Sequence, residues 1–315
     1  MNVSFDLRKA LGFRRLNLLV LAVILSLLGV VGSTVPAVAA EIIVDTGGVD
    51  DADCGAAGTP CRTIAYAVRD RAGSGDTVIV HAGTYPETIA MKSGVIISGT
   101  GTASTFIDGE GVRGPMVTAN SGVAASAVFK GFTVRGGIAQ NGGGVYIAAT
   151  DSPVLTDIVV TNNTAVRGGG MYIAGSLTLT DTCFIGNAAS VDGGGVYQGA
   201  VGGTITLVGG CLEQNTALGQ VSSNGGGAYA AGNMVLSGTL VTDNSASRGG
   251  GGVFVSYIAV LTNATVLSNT AGQWGGGLYQ NFFNDYTQIT GGRFESNRTI
   301  TTTDSSRGGG LRGTS

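Results

Sequence analysis

The sequence predicts an all-β fold: a single-stranded right-handed parallel β-helix (solenoid) with a short N-terminal capping helix. Two observations lead to this prediction. The 315 residues include 56 glycines, many of them in triplets that recur about every 25 residues. Between the triplets lie short alternating runs rich in Val, Ile, Thr and Tyr, and none has the length and periodicity of a helix. A unit of this length suits one coil, and stacked coils bury a core that no single coil could bury.

Each repeat carries the same landmarks. The glycine triplets start at Gly142, Gly168, Gly193, Gly225, Gly250, Gly275 and Gly308. An apolar residue and usually an aromatic residue follow each triplet, and a pattern such as FIGN or FESN comes later in the unit. The triplet is expected to turn a corner with positive φ while pressed against neighbouring corners. The Asn is expected at another corner, where it tolerates the left-handed conformation and its amide can bond to the Asn of the next coil.

A longer period overlies the repeat. The steps between triplets are 26, 25 and 32 residues, followed by 25, 25 and 33. We therefore interpret the array as a duplicated set of three coils. Each set contains one extended turn, residues 217–224 or residues 300–307, and both turns are expected on the same side of the solenoid.

The first 40 residues predict a secretory signal peptide. Four basic residues precede an apolar run at residues 16–31, and AVA at residues 37–39 offers a cleavage site. The alternative is an uncleaved membrane anchor, although the run is short for a span of about 20 residues. No later segment is apolar and long enough to span a membrane, so no span is expected after cleavage.

The remainder divides into an N-terminal cap with the first coils, residues 41–110, and the β-helix repeats, residues 111–315. Ile64, Ala67 and Val68 lie at helical spacing, which predicts a short helix that covers the first coil. Because the chain ends shortly after a new repeat begins at Gly308, the sequence favours truncation at the C-terminus.

The charge balance argues against a nucleic-acid partner. The chain has 17 Lys and Arg and 20 Asp and Glu; without residues 1–40 it keeps 13 basic and 19 acidic residues, a net charge of −6. Nucleic-acid binding needs a basic patch. After residue 40 the only lysines are Lys92 and Lys130.

Four cysteines follow the signal peptide, in a compartment where disulfides form. Cys54 and Cys61 flank a short loop of small residues that a disulfide could close. Cys183 and Cys211 each lie four residues before a repeat asparagine, so they are expected on adjacent coils with Cα atoms about 5 Å apart. Bonding between this second pair stays an open question, because in-register side chains run parallel.

The repeats, in which GGG plus an apolar and an aromatic residue alternates with FxxN, resemble those of chlamydial-type polymorphic outer-membrane proteins. Residues 61–89, CRTIAYAVRDRAGSGDTVIVHAGTYPETI, and residues 129–137, FKGFTVRGG, resemble the opening of pectate-lyase-like β-helix proteins. The first resemblance implies a β-helical domain displayed at the cell surface, and the second extends the β-helix to the N-terminal coils.

The sequence offers few residues for catalysis or metal binding. Its single histidine, His81, lies in VIVHAGTY and is interpreted as structural, and no catalytic residue or cofactor is assigned. The densest acidic stretch is DTGGVDDADCG, residues 45–55, where Asp50, Asp51 and Asp53 could supply oxygens to Ca²⁺. The alternative is a solvated acidic loop.

Six aromatic residues at one offset from the triplets predict a ladder on the outside of the solenoid: Tyr146, Tyr172, Tyr197, Tyr229, Phe254 and Tyr279. Because strand side chains alternate, each points away from the aliphatic residue before it, and that residue is assigned to the core. The ladder could be purely structural, or it could form a glycan-binding stripe whose rings stack on sugars.

Two functions are compatible with these features. The first is a secreted or cell-surface β-helix with an adhesin-like or structural role, and with a polysaccharide or cell-surface glycan as its partner. The second is a polysaccharide lyase or glycoside hydrolase, which would need acids and bases clustered on one face. The uniform repeat favours the first, because no repeat position carries a row of carboxylates.

Overall fold

A computed structural model describes residues 39–110, 112–120, 122–219, 222–281, 286–300 and 309–312. The strands of this part stack as rungs in three sheets, and the ladders between them are parallel. The predicted all-β parallel β-helix is confirmed. Residues 1–38 and most of the second extended turn, residues 301–307, lie outside the described residues, so the signal-peptide and paired-turn predictions stay predictions.

The strands are numbered in chain order. The first sheet contains β1 (Glu41–Val44), β2 (Thr77–Val80), β3 (Gly83–Tyr85), β5 (Ile96–Gly99), β6 (Thr105–Asp108), β8 (Val128–Arg135), β11 (Val154–Thr161), β14 (Leu177–Ile185), β17 (Thr204–Val208), β18 (Cys211–Glu213), β21 (Asn233–Ser237), β22 (Leu240–Thr242), β25 (Ala259–Thr262), β26 (Thr265–Leu267), β29 (Thr287–Thr290) and β30 (Arg293–Glu295). The second sheet contains β4 (Ile89–Ala90), β7 (Val117–Ala119), β10 (Val145–Ile147), β13 (Met171–Ile173), β16 (Val196–Gln198), β20 (Ala228–Ala230), β24 (Val253–Val255), β28 (Leu278–Gln280) and β32 (Leu311–Arg312). The third sheet contains β9 (Ile138–Asn141), β12 (Thr164–Arg167), β15 (Ala188–Asp192), β19 (Thr216–Ala217), β23 (Ser245–Ala246), β27 (Thr270–Ala271) and β31 (Arg298–Thr299).

The rungs of the second sheet align triplet with triplet, as the repeat predicts. The residue directly after each of the first six triplets points inward and is fully or almost fully buried: Val145, Met171, Val196, Ala228, Val253 and Leu278. In the first sheet a second inward column runs through Leu155, Leu179, Leu207, Leu236 and Leu261. The core is therefore a continuous apolar stack along the solenoid, which no single coil could supply.

The repeat asparagines form an internal ladder. In the middle of it, the Asn187 Nδ2 donates to Asn215 Oδ1 at 3.0 Å, and the Asn215 Nδ2 donates to Asn244 Oδ1 at 3.0 Å. Both donors also bond to backbone carbonyls, and the residues are fully buried. The prediction of amide bonding between coils is therefore confirmed.

The expected backbone conformation of these asparagines is wrong. The left-handed residue at this corner is the one before the ladder asparagine, for example Gln214 with φ 54° and Asp243 with φ 55°. The reason is that the left-handed residue turns the chain, and the next residue then points its amide into the solenoid. There the amide satisfies backbone groups of two coils that would otherwise be buried without partners.

The N-terminal end is covered as the sequence predicts. A short helix, α1 (Ile64–Tyr66), continues as a π-helical turn (Ala67–Arg71), with Ile64, Ala67 and Val68 buried. Strand β1 already stacks on β2 in register, so the first rung begins at Glu41. In the part of the chain that the structure describes, no helix combines the length and apolar character needed to span a bilayer.

Both cysteine pairs are joined. Cys54 and Cys61 are bonded, with Cα atoms 4.8 Å apart, and close the loop beside α1. Cys183 pairs in register with Cys211 on the next coil, and their Cα atoms are 4.4 Å apart. This second bond links two neighbouring rungs of the first sheet.

Candidate functional site

The aromatic ladder runs along the outer face of the second sheet. Neighbouring ring centroids are 4.8–5.6 Å apart from Tyr146 to Tyr279, and the first five rings are nearly parallel. The rings up to Tyr229 are half-buried. Phe254 and Tyr279 are buried, at 6% and 4% exposed, and neither belongs to the apolar cluster inside the solenoid. Trp274 packs on Tyr279 at 5.5 Å and helps to cover this end.

The stacking decides which rings can contact a ligand through their faces. Each inner ring has another ring on both sides, so its faces are covered, and at Tyr172, Tyr197 and Tyr229 only the ring edge is left uncovered. Burial also raises the pKa of Tyr197 to about 12. A continuous stripe of sugar-stacking faces, as the sequence suggested, is therefore not available along the ladder.

The exception is Tyr146, where the ladder begins. Its partner on one side is Tyr172, but the rung on the other side carries Thr118 in register, and the rung before that carries Ala90. These small residues leave space in front of the Tyr146 ring. The aromatic face that points toward Thr118 therefore borders a cleft.

This cleft has a volume of about 650 Å³. Its residues are Arg113, Gly114, Pro115, Thr118, Asn120, Ile138, Ala139, Gln140, Asn141, Tyr146 and Val166. The set combines one aromatic ring, three carboxamides and one exposed arginine, and it includes no Asp, Glu or His. The Asn141 Oδ1 is buried and accepts no hydrogen bond from the described residues. These groups can bind a polar ligand that offers hydroxyl donors and an apolar ring face.

A second cavity of about 580 Å³ continues the cleft toward the N-terminus. It shares Pro115 and Thr118 with the cleft and reaches Ala65 of α1 and Val68 of the π-helical turn. The two cavities thus adjoin each other between α1 and the start of the ladder.

The sequence analysis missed a column of residues beside the ladder. The residue before each glycine triplet lies at the edge of the third sheet or just past it, and these residues form the column Asn141, Arg167, Asp192, Asn224, Gly249 and Trp274. Asp192 Oδ1 accepts hydrogen bonds from the backbone N–H and the Nδ2 of Asn224, at 2.7 and 3.2 Å. Burial raises the pKa of Asp192, while these hydrogen bonds act in the opposite direction. The sequence already indicated this column, because the residue before the glycine triplet is polar in four of the six repeats.

Of the three aspartates suggested for Ca²⁺, Asp50 and Asp51 have side chains in structural hydrogen bonds. Asp50 accepts hydrogen bonds from the backbone N–H groups of Arg62 and Thr63 and from the Thr63 hydroxyl, so it holds the start of α1. Asp51 accepts from the backbone N–H of Asp53. Among the described residues, no group of three or more His, Cys, Asp or Glu side chains could hold a metal ion.

No family model matches the chain, and no curated protein matches it. Among solved structures, the chain is similar to a mutant pectin methylesterase in complex with a hexasaccharide, with a TM-score of 0.44 and 9% sequence identity over 86% of this chain and 95% of that chain. A similarity of this size says nothing about the activity of the present chain.

Proposed function

We propose that this chain is a secreted or cell-surface β-helix with an adhesin-like role, and that it binds a glycan in the cleft in front of Tyr146. The observation that carries the proposal is the open aromatic face of Tyr146 in a cleft lined by carboxamides. Sugars present an apolar ring face together with hydroxyl groups, which matches this combination. The predicted signal peptide and the resemblance to surface-protein repeats support the location.

The lining of the cleft favours recognition over catalysis. Glycoside hydrolysis uses two carboxyl groups on either side of the scissile bond, whereas the charged residue of this cleft is Arg113. We therefore place the lyase or hydrolase alternative second. An assay for new reducing or unsaturated ends, run on the same polysaccharides as the binding screen, tests that alternative directly.

The experiment is a glycan-array screen of residues 41–315, followed by calorimetric titration of the hits. We expect Tyr146→Ala to weaken binding at least about tenfold, because it removes the only ring with an uncovered face among the described ladder residues. Tyr172→Ala is the matched control: it deletes the neighbouring ring, whose faces are covered by Tyr146 and Tyr197. This control should lower stability and retain most of the binding at the cleft.

A second variant tests the same proposal by covering the Tyr146 ring instead of removing it. Thr118→Tyr would add one ring to the ladder, cover the Tyr146 face and fill the cleft. We expect it to keep the fold and abolish binding. Equal binding by the wild type, Tyr146→Ala and Thr118→Tyr would contradict the proposal.

A further inference from the structure

The first rung of the solenoid begins directly behind the AVA motif of residues 37–39. Strand β1 begins at Glu41, and the compact unit that holds the solenoid begins at Ala39. Ala39 and Ala40 are both exposed. A leader with an A-x-A motif is cut after the second alanine, so the motif points to the bond between Ala39 and Ala40. A cut at this bond leaves Ala40 as the first residue of the mature chain.

The nitrogen that this cut would free already lies against a carboxylate. The Ala40 N–H donates to Asp76 Oδ1 at 2.7 Å, and the Gly73 N–H donates to Asp76 Oδ2 at 2.7 Å. The Ala40 carbonyl accepts a hydrogen bond from the Thr77 N–H at 2.9 Å. Both backbone groups of Ala40 are therefore bound by the rung of β2, so Ala40 belongs to the solenoid and not to the leader.

The charges around this contact suit a positive chain terminus. The hydrogen bond from the Ala40 N–H is the largest cause that lowers the pKa of Asp76; the Gly73 N–H and the positive charge of Lys92 act in the same direction, and burial opposes them. Glu41, the next residue, is exposed and adds a second negative charge beside the terminus. A free amino group at Ala40 would turn a neutral donor into an ammonium, and such charge-assisted hydrogen bonds to a carboxylate are stronger.

We propose that the chain is processed between Ala39 and Ala40, and that the new α-ammonium of Ala40 forms an ion pair with Asp76 that fastens the start of the first rung. In the cut, a signal peptidase adds water across the amide. The Ala39 carbonyl becomes the carboxylate of the released leader, and the Ala40 nitrogen leaves with a proton as the ammonium. This inference rests on the secretion proposed above and is independent of glycan binding.

The first test locates the cut. The full chain is produced in a secreting bacterial host, and the exported protein is characterised by N-terminal sequencing and intact mass. We expect Ala40 as the first residue. Ala39→Phe should block the cut at this bond, because the position before it requires a small residue. Val38→Phe, at the variable position of the motif, is the matched control and should be cut as in the wild type.

The second test measures the ion pair. Thermal unfolding is compared for residues 40–315 with a free terminus and with an enzymatically acetylated terminus, which keeps the N–H donor and removes the charge. At about pH 6.5, Asp76→Asn should lower the midpoint by about 2 °C more in the free form than in the acetylated form. Asp51→Asn is the matched control, since Asp51 also accepts from a backbone N–H, that of Asp53 at 3.0 Å, and should have the same effect in both forms.

The pH dependence identifies the ammonium. A partner carboxylate raises the pKa of an α-amino group above its ordinary value of about 8. Its contribution to stability is therefore complete below about pH 8 and is lost as the pH rises through the higher, folded-state pKa. The extra effect of Asp76→Asn in the free form should disappear at about pH 10. Because Lys92 and Glu41 are present in both forms, their titration cancels in this comparison.

The outcomes separate the parts of the proposal. An exported protein that begins at any residue other than Ala40 overturns the cleavage site. Export of the chain with residues 1–39 attached, or failure of the chain to leave the cell, overturns the cleavage and the proposed secretion together. An effect of Asp76→Asn that is equal in the free and acetylated forms, or unchanged between the two pH values, overturns the ion pair and leaves the cleavage to be judged by the sequencing alone.

Discussion

At the scale of single residues, the three glycines of a triplet meet different constraints. In the triplet that begins at Gly168, the first glycine has φ 63°, a conformation that side chains with a Cβ rarely adopt. The third, Gly170, packs against the ladder amide of its own coil: a Cβ there would lie 2.7 Å from the Gly195 oxygen and 3.0 Å from Asn187 Cγ. The triplet and the asparagine, which lie far apart in the repeat, are thus in contact across the solenoid.

This contact predicts a large effect for a small change. Gly170→Ala should lower the free energy of unfolding by about 3 kcal/mol, because the methyl group can be accommodated only if two coils move apart. Gly58→Ala should change it by less than about 0.5 kcal/mol, since open space surrounds Gly58. Urea denaturation followed by circular dichroism measures both. Similar midpoints for the two variants would show that the triplet does not pack as described.

The internal asparagines predict a second effect at this scale. Asn215→Ala would leave the backbone N–H and the Nδ2 of Asn187 without their acceptor, and it would remove the donor to the Phe184 carbonyl. Because these groups are buried, we expect a loss of about 3 kcal/mol in the free energy of unfolding. Asn233→Ala, a half-buried asparagine of the first sheet, should cost less than about 1 kcal/mol, because water can replace its bonds. Equal losses would contradict a buried amide ladder.

At the scale of elements, the stability of the capping helix depends on hydrogen bonds to carboxylates, because the helix itself is very short. The two oxygens of Glu87 accept hydrogen bonds from the backbone N–H groups of Ile64 and Ala65, at 2.9 and 2.8 Å. Asp50 holds the residues just before the helix, as described above. A helix this short is not stable alone, so these contacts and the burial of Ile64 hold it over the first coil.

Glu87 gives this element a pH dependence. Burial raises the pKa of Glu87 above its ordinary value of 4.5, although the two backbone hydrogen bonds oppose the shift. A carboxyl group whose pKa is higher in the folded state binds more protons there, so its contribution to stability falls as pH rises through the interval between the two pKa values. Relative to Glu87→Gln, the wild type should therefore lose stability as the pH rises above 4.5, the ordinary pKa of this carboxyl group. Thermal unfolding at several pH values measures the difference, and parallel curves for the two proteins would contradict it.

At the scale of the whole molecule, the described coils are held together by contacts between neighbours. Parallel ladders, ring stacking and the asparagine amides all act between one rung and the next, so stability is close to a sum over neighbouring coils. The Cys183–Cys211 bond adds a covalent link between two such coils near the middle of the array.

The two disulfides should therefore differ in their effect on unfolding. Cys183 and Cys211 are separated by 28 residues, and Cys54 and Cys61 by seven. The longer loop restricts the unfolded chain more, so replacing both Cys183 and Cys211 by Ser should cost about 3 kcal/mol and more than replacing the other pair. Urea unfolding of the two double variants and the wild type tests this order. A larger loss for the Cys54–Cys61 variant would contradict it.

The sequence alone determined the repeat and most of its consequences. The spacing of the triplets predicted which residues meet on adjacent coils, including Val145 with Met171 and Cys183 with Cys211. Alternation along β10 and its neighbours predicted the aliphatic column inside and the aromatic ladder outside. These predictions hold because a parallel solenoid places equivalent positions of successive repeats one strand spacing apart. The period of the sequence therefore predicts which residues are neighbours in the structure.

Only the tertiary structure showed which ring of the ladder has an uncovered face. Six equivalent aromatic residues looked alike in the sequence, but stacking covers the faces of every ring except the one at the start, where Thr118 takes the place of a ring. The physical reason is that a repeat specifies what its members share, whereas a binding site arises where the repeat is interrupted and neighbouring side chains leave space.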